Sequence, residues 1–287
     1  MASIRDIRKR IRSVQSTKKI TKAMKMVAAA KLRRAQEAAE QSKPYAASIN
    51  QLLQDLVAQG VGGDHPLLKS REVKKRLLVV FSSDRGLCGA FNSGLLRKTE
   101  KELQENSVPT ELVLIGKKAT SYFSRRSYPI WKKVDGFWAN FSHANASALA
   151  QELLAAFTSG EFDRVDLAYN EFLSIMSQVP KVETFAPILT APVEKVEVAG
   201  VGPAPIFEPN KEAILNALLP KAVEVRFYQP CLQSLASEYG ARMSAMDSAS
   251  RNAGEMIDGL TLTMNRVRQA NITRELVEII SGAEAVN

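Results

Sequence analysis

The chain has 287 residues, with 39 Lys and Arg against 30 Asp and Glu, for a formal net charge of +9. It holds no apolar run long enough to span a bilayer and no basic-then-apolar leader, which excludes a transmembrane or secretory reading. The two cysteines, Cys88 and Cys231, are far apart and the two histidines, His65 and His143, stand alone, so neither a disulfide framework nor a zinc spacing is present. This leaves a soluble intracellular chain with an acidic partner: nucleic acid, an anionic membrane surface or an acidic protein face.

The charge is uneven. Residues 1–57 carry nine more basic than acidic side chains, residues 58–205 two more, and residues 206–287 two fewer. No glycine precedes Gly60, and Pro44 is the only proline in that stretch. Ala, Lys, Arg, Gln and Met dominate it, so one helix of about 55 residues, roughly 80 Å long, is expected. Ile4, Ile7, Ile11, Val14, Ile20, Met24 and Val27 recur at steps of three or four, with Thr17 in the longer gap, and predict an apolar stripe. Arg5, Arg8, Arg12, Lys18, Lys22 and Lys25 form a cationic stripe beside it.

Strand and helix then alternate. Arg76–Ser82, Glu111–Ile115, Tyr128–Val134, Val165–Leu173 and Val182–Leu189 read as strands, with Pro180 and Pro187 at or near strand ends. Leu87–Gln104, Lys117–Arg125 and Asn145–Thr158 read as helices. This alternation predicts a mostly parallel sheet covered by helices. Residues 191–209, rich in Pro, Gly and Val, read as the connection to a last helix, which Pro230 starts or kinks. Along that helix Met246, Ala253, Leu260 and Val267 fall seven apart, interleaved with Ser250, Ile257, Met264 and Asn271, a heptad seam. The fold class is therefore α/β: an antiparallel coiled coil of long terminal helices plus a central Rossmann-like domain. Its parts are residues 1–60, 61–205 and 206–287.

The best ligand motif is Phe81-Ser-Ser-Asp-Arg-Gly-Leu-Cys-Gly89, at the carboxyl end of the first strand. It holds only a GxxG, and Gly116-Lys-Lys118 lacks the rest of a P-loop. A capping role for Ser83 or Asp84 and a tight turn at Gly86 explain the segment better. Cys88 has no base assigned beside it and reads as a small buried hydrophobe. His143 falls near the start of a helix, in its cap region or on the surface. The cationic stripe has no aromatic before Tyr45 to stack a base, so an acidic protein fits it better than nucleic acid.

Three segments together resemble the gamma subunit of F-type ATP synthases. They are Ile11-Arg-Ser-Val-Gln-Ser-Thr-Lys-Lys-Ile-Thr-Lys-Ala-Met-Lys-Met-Val-Ala-Ala-Ala-Lys31, Ser83-Asp-Arg-Gly-Leu-Cys-Gly-Ala-Phe-Asn92, and Arg268-Gln-Ala-Asn-Ile-Thr-Arg-Glu-Leu-Val-Glu-Ile-Ile-Ser-Gly-Ala283. Their order, spacing and the total length agree end to end. The resemblance implies a non-catalytic rotor shaft with no cofactor or metal, turning inside a hexamer of alpha and beta subunits. It implies a foot near the epsilon subunit and the c-subunit ring, with no membrane insertion and no nucleic acid. It further implies that Lys18, Lys22, Met24 and Lys25 face acidic levers of beta subunits. Arg268, Gln269, Thr273, Glu275 and Glu278 would meet alpha or beta subunits near the top of the shaft. A start at Met1 without a transit peptide fits a bacterial member at the cytoplasmic face of the inner membrane. The readings that compete are a nucleotide-binding α/β enzyme and a basic coiled-coil nucleic-acid-binding protein.

Overall fold

A computed structural model describes residues 3–62, 65–69, 71–188 and 210–284, with the side chains of 282–284 outside the description. The expected connection at 191–209 lies outside these residues. Ten elements follow in chain order: α1 (Ile4–Ala58), β1 (Arg76–Phe81), α2 (Phe91–Glu105), β2 (Thr110–Ile115), α3 (Lys117–Phe123), β3 (Ile130–Val134), α4 (His143–Thr158), β4 (Arg164–Phe172), β5 (Gln178–Ala186) and α5 (Lys211–Glu284). They divide into two units. Residues Met1–Ala29 with Arg242–Asn287 form one, and Ala30–Ala241 form the other.

The larger unit is built on one sheet, ordered β3-β2-β1-β4-β5. β1 to β4 pair in parallel and β5 closes one edge antiparallel to β4. All six residues of β1 are buried, as a strand covered on both faces requires. Side chains alternate across the pleat, which splits the core into two layers. Leu77, Val79 and Phe81 join Val113, Ile115 and Leu167 under α1, α4 and α5, with Leu53, Leu56, Leu153, Leu219 and Phe227 filling that layer. Leu78 and Val80 join Leu112 and Leu114 under α2 and α3, against Leu95, Leu96 and Phe123. Each large apolar side chain so enclosed stabilises the fold by about 1.5–3 kcal/mol relative to exposure.

One ion cluster interrupts this core. The buried Arg76 guanidinium donates to the fully buried Asp166 at 2.5 Å and to Glu102 at 3.0 Å, and Arg164 donates to Asp166 at 2.8 Å.

Three expectations at element boundaries change. Pro180 lies inside β5, opposite Asn170, where an edge strand tolerates the missing N–H. Pro220 and Pro230 both lie inside the continuous α5. α2 begins at Phe91, four residues later than the periodicity predicts, because Leu87 and Gly89 take left-handed backbone and form a loop.

In the smaller unit α1 and α5 run antiparallel. Lys25 Nζ lies 2.6 Å from Asp247 Oδ1. A β-carbon placed on Gly254 would lie 3.0 Å from Lys18 Nζ. A step of seven back along α1 thus matches a step of seven forward along α5. The same register carries Ile4 opposite Arg268.

Candidate partner-contact surface

The buried face of α1 follows a heptad rather than the stripe read from its large apolar residues. Ile7, Thr21, Ala28, Ala35, Ile49 and Leu56 fall at multiples of seven and are buried, with Val14 and Ser42 partly so. The interleaved positions are Ile11, Lys18, Lys25, Leu32, Ala39, Ala46 and Leu53. The expected stripe therefore holds through Val14 and then fails: Ile20 and Val27 are 59% and 58% exposed. A 3.5-residue period selects Thr21 and Ala28 in their place, and small side chains there let two helices approach closely. On α5 the expected seam is less exposed than its flanks: Met246 and Ala253 are buried, and Ser250, Ile257, Leu260, Met264, Val267 and Asn271 are half-buried.

Two patches result. On α1, Lys18 and Lys22 are exposed and Met24 is half-buried. Lys25 stands in the seam and turns its charge to Asp247, whose other oxygen accepts from Arg251 at 3.0 Å. The hydrogen bond from Lys25 holds the Asp247 carboxyl below its ordinary range. Around these cations stand exposed Ile20, Met26 and Val27, so the patch is mixed apolar and basic. Toward the start of α1, Arg5, Arg8, Lys9, Arg10 and Arg12 extend the exposed charge.

The second patch is the end of α5. Arg268, Gln269, Thr273, Glu275 and Glu278 are all exposed. Thr273 Oγ1 donates to the Gln269 carbonyl at 3.0 Å, and Glu278 faces Arg274 at 3.7 Å one turn away. By the register above, this stretch runs past the start of α1, so among the described residues no second helix covers it. Ile272, Leu276, Val277, Ile279 and Ile280 are exposed there. Ile272 lies in the resemblance segment, but none of these five is among the expected partner contacts, although a run of apolar residues beyond the last paired position is a visible signal. The patches are separate: from Gly254 to Arg268 α5 rises by about 21 Å.

At the sheet's carboxyl end the chain bonds its own groups where a phosphate would need free N–H donors. Ser82 Oγ accepts from Ala119 N at 2.7 Å, Asp84 Oδ1 accepts from Lys117 N at 3.1 Å, and the Ser83 carbonyl accepts from Lys118 N at 3.1 Å. Asp84 thus serves the start of α3 rather than α2, and Gly86 is not among the residues with positive φ. Cys88 is buried, as expected. His143 opens α4, with its ring 5.1 Å from that of Tyr228. Among the described residues, no helix is long and apolar enough to cross a membrane.

A family model described as ATP synthase matches residues 3–286. The ATP synthase gamma chain of Moorella thermoacetica is 46% identical over 286 residues, covering 100% of both chains. That of an Anaeromyxobacter species is 48% identical over 294 residues, again covering 100% of each. Among solved structures, a chain from the central stalk and c-ring of the Tetrahymena thermophila mitochondrial ATP synthase is 28% identical. The match has a TM-score of 0.59 and covers 80% of this chain and 99% of that one.

Proposed function

The chain belongs to the gamma-chain family of ATP synthases, and we propose that it acts as the non-catalytic central rotor stalk of such an enzyme, coupling ion-driven rotation to the conformational cycle of the catalytic subunits. In this reading residues 1–60 and 206–287 serve as the shaft within an alpha–beta hexamer. Residues 61–205 serve as the foot, toward the epsilon subunit and the c-subunit ring. The complex would lie at the cytoplasmic face of a bacterial inner membrane, with this chain peripheral to it.

The observation that carries the reading is the smaller unit: two antiparallel helices whose outer surface keeps a mixed cationic and apolar patch and an apolar, polar-edged tip exposed. A monomer gains nothing from that exposure, whereas a sleeve of partner subunits covers it. Lys18, Lys22 and Met24 are assigned to acidic levers of the beta subunits, with Lys25 acting mainly through its bond to Asp247. Arg268, Gln269, Thr273, Glu275 and Glu278 are assigned to loops of the alpha and beta subunits around the tip. Exposed ion pairs of this kind contribute only about 0–1 kcal/mol each, so a turning shaft releases them one at a time.

The test is co-purification from the native membrane, in which alpha and beta subunits are expected with this chain. R268A with Q269A is expected to weaken assembly or coupled ATPase activity severalfold. A chain that purifies without those subunits, or a doubly substituted chain that assembles and couples as the parent does, would count against the reading or the site assignment respectively.

A further inference from the structure

In the larger unit an open cavity of about 430 Å³ lies where α1, α5, β4 and β5 meet. Its volume is that of a small-molecule site. Leu53, Val225 and Ile188 give it an apolar wall, and Arg226 is the one cation among its lining residues. That guanidinium is under-used. Of its five N–H donors only one is engaged, with Nη2 donating to the Thr184 carbonyl at 3.3 Å. Among the described residues it forms no ion pair, unlike Arg76, which meets both Asp166 and Glu102. Burial pushes the Arg226 guanidinium below its ordinary value, and the charge of Glu183 offsets this only in part. None of its nitrogens is sealed in the interior without a partner, so the unengaged donors reach the open space they line.

The two carboxylates of the cavity are already engaged elsewhere. Glu183 accepts from the Tyr169 hydroxyl at 2.8 Å and pairs with Lys181 at 3.3 Å, and Glu171 pairs with Lys181 at 3.5 Å. Arg226 and Lys181 together balance these two acids, so a ligand carrying two negative charges is disfavoured and one carrying a single charge is not. Amide donors stand free beside Arg226. Gln54 makes no side-chain hydrogen bond among the described residues. Gln233 uses only its oxygen, which accepts from Phe172 N at 3.1 Å, and its amide nitrogen is spare. The planar guanidinium fork matches a carboxylate through two parallel hydrogen bonds.

We propose that this cavity binds a small amphiphilic monocarboxylate, with its carboxylate on Arg226, a hydrogen-bonding group toward Gln54 and Gln233, and its apolar end against Leu53 and Val225. In titration calorimetry on the full-length chain, N-acetyl-leucine is expected to bind with a dissociation constant below about 1 mM. N-acetyl-leucinamide lacks the charge, and inorganic phosphate lacks the apolar body and carries a second charge. Both are expected to bind at least about tenfold more weakly. R226Q is expected to lose at least about tenfold in affinity for N-acetyl-leucine. Its melting temperature should equal or exceed that of the parent, because an uncompensated, half-buried charge is gone. Q54A breaks no bond within the chain, so it should fold as the parent does and weaken binding severalfold. Undetectable binding of N-acetyl-leucine overturns the site, as does an affinity unchanged in both R226Q and Q54A. Equal affinity for the amide, or tighter binding of phosphate, overturns the ligand class. None of these measurements involves alpha or beta subunits, so their failure leaves the stalk reading untouched.

Discussion

Lys18 and Lys25 occupy seam positions that α1 otherwise fills with Ile, Leu and Ala, and each is accommodated differently. Lys18 lies over Gly254, where no side chain competes for the space, and Lys25 finds a carboxylate. The pair is 39% and 34% exposed on its two sides, so solvent screens it and its value lies in register more than in energy. K25D and D247K are each expected to lower the melting temperature of the full-length chain, and the combined swap to restore it, as followed by circular dichroism. A swap that restores nothing would remove the pair from the register. Because the Asp247 carboxyl is depressed, its contribution is fully present above the ordinary carboxylate range and is lost as pH falls through the depressed value. D247N should flatten that acid limb. Lys25 also marks where sequence reasoning stopped: its charge was visible, but whether it faced outward or across the seam depended on a partner 222 residues away.

At the scale of elements, the strand–helix alternation, the parallel sheet and the α5 heptad were legible because each rests on a local period. The ends were less so. The start of α2 moved because the left-handed turn at Leu87 has no local signature, leucine being a poor candidate for it. The α1 stripe drifted because large apolar residues dominate a periodicity reading, while the seam itself uses alanine and threonine. Gly116 shows how tightly one element joins the next. It sits at φ 89° between β2 and α3, and a β-carbon there would lie 2.2 Å from the Ser82 carbonyl oxygen. Gly116→Ala is expected to destabilise the chain by at least about 2 kcal/mol, read from urea unfolding. An unchanged midpoint would mean that the β1 and β2 ends separate easily.

For the whole molecule, the sheet unit must act as one rigid body if it is to transmit rotation, and one of its interior contacts is a buried ion pair, Arg76 with Asp166. Asp166→Ala would leave Arg76 buried without its main counter-charge. A loss of about 3–5 kcal/mol is expected, whereas replacing both partners with apolar residues of similar volume should recover much of it. Equal unfolding midpoints for the single and paired changes would refute that account. In the smaller unit Thr21, Ala28 and Ala253 are buried, so the thickness of the pair there is set by two backbones rather than by side chains, and enlarging any of the three would wedge the helices apart.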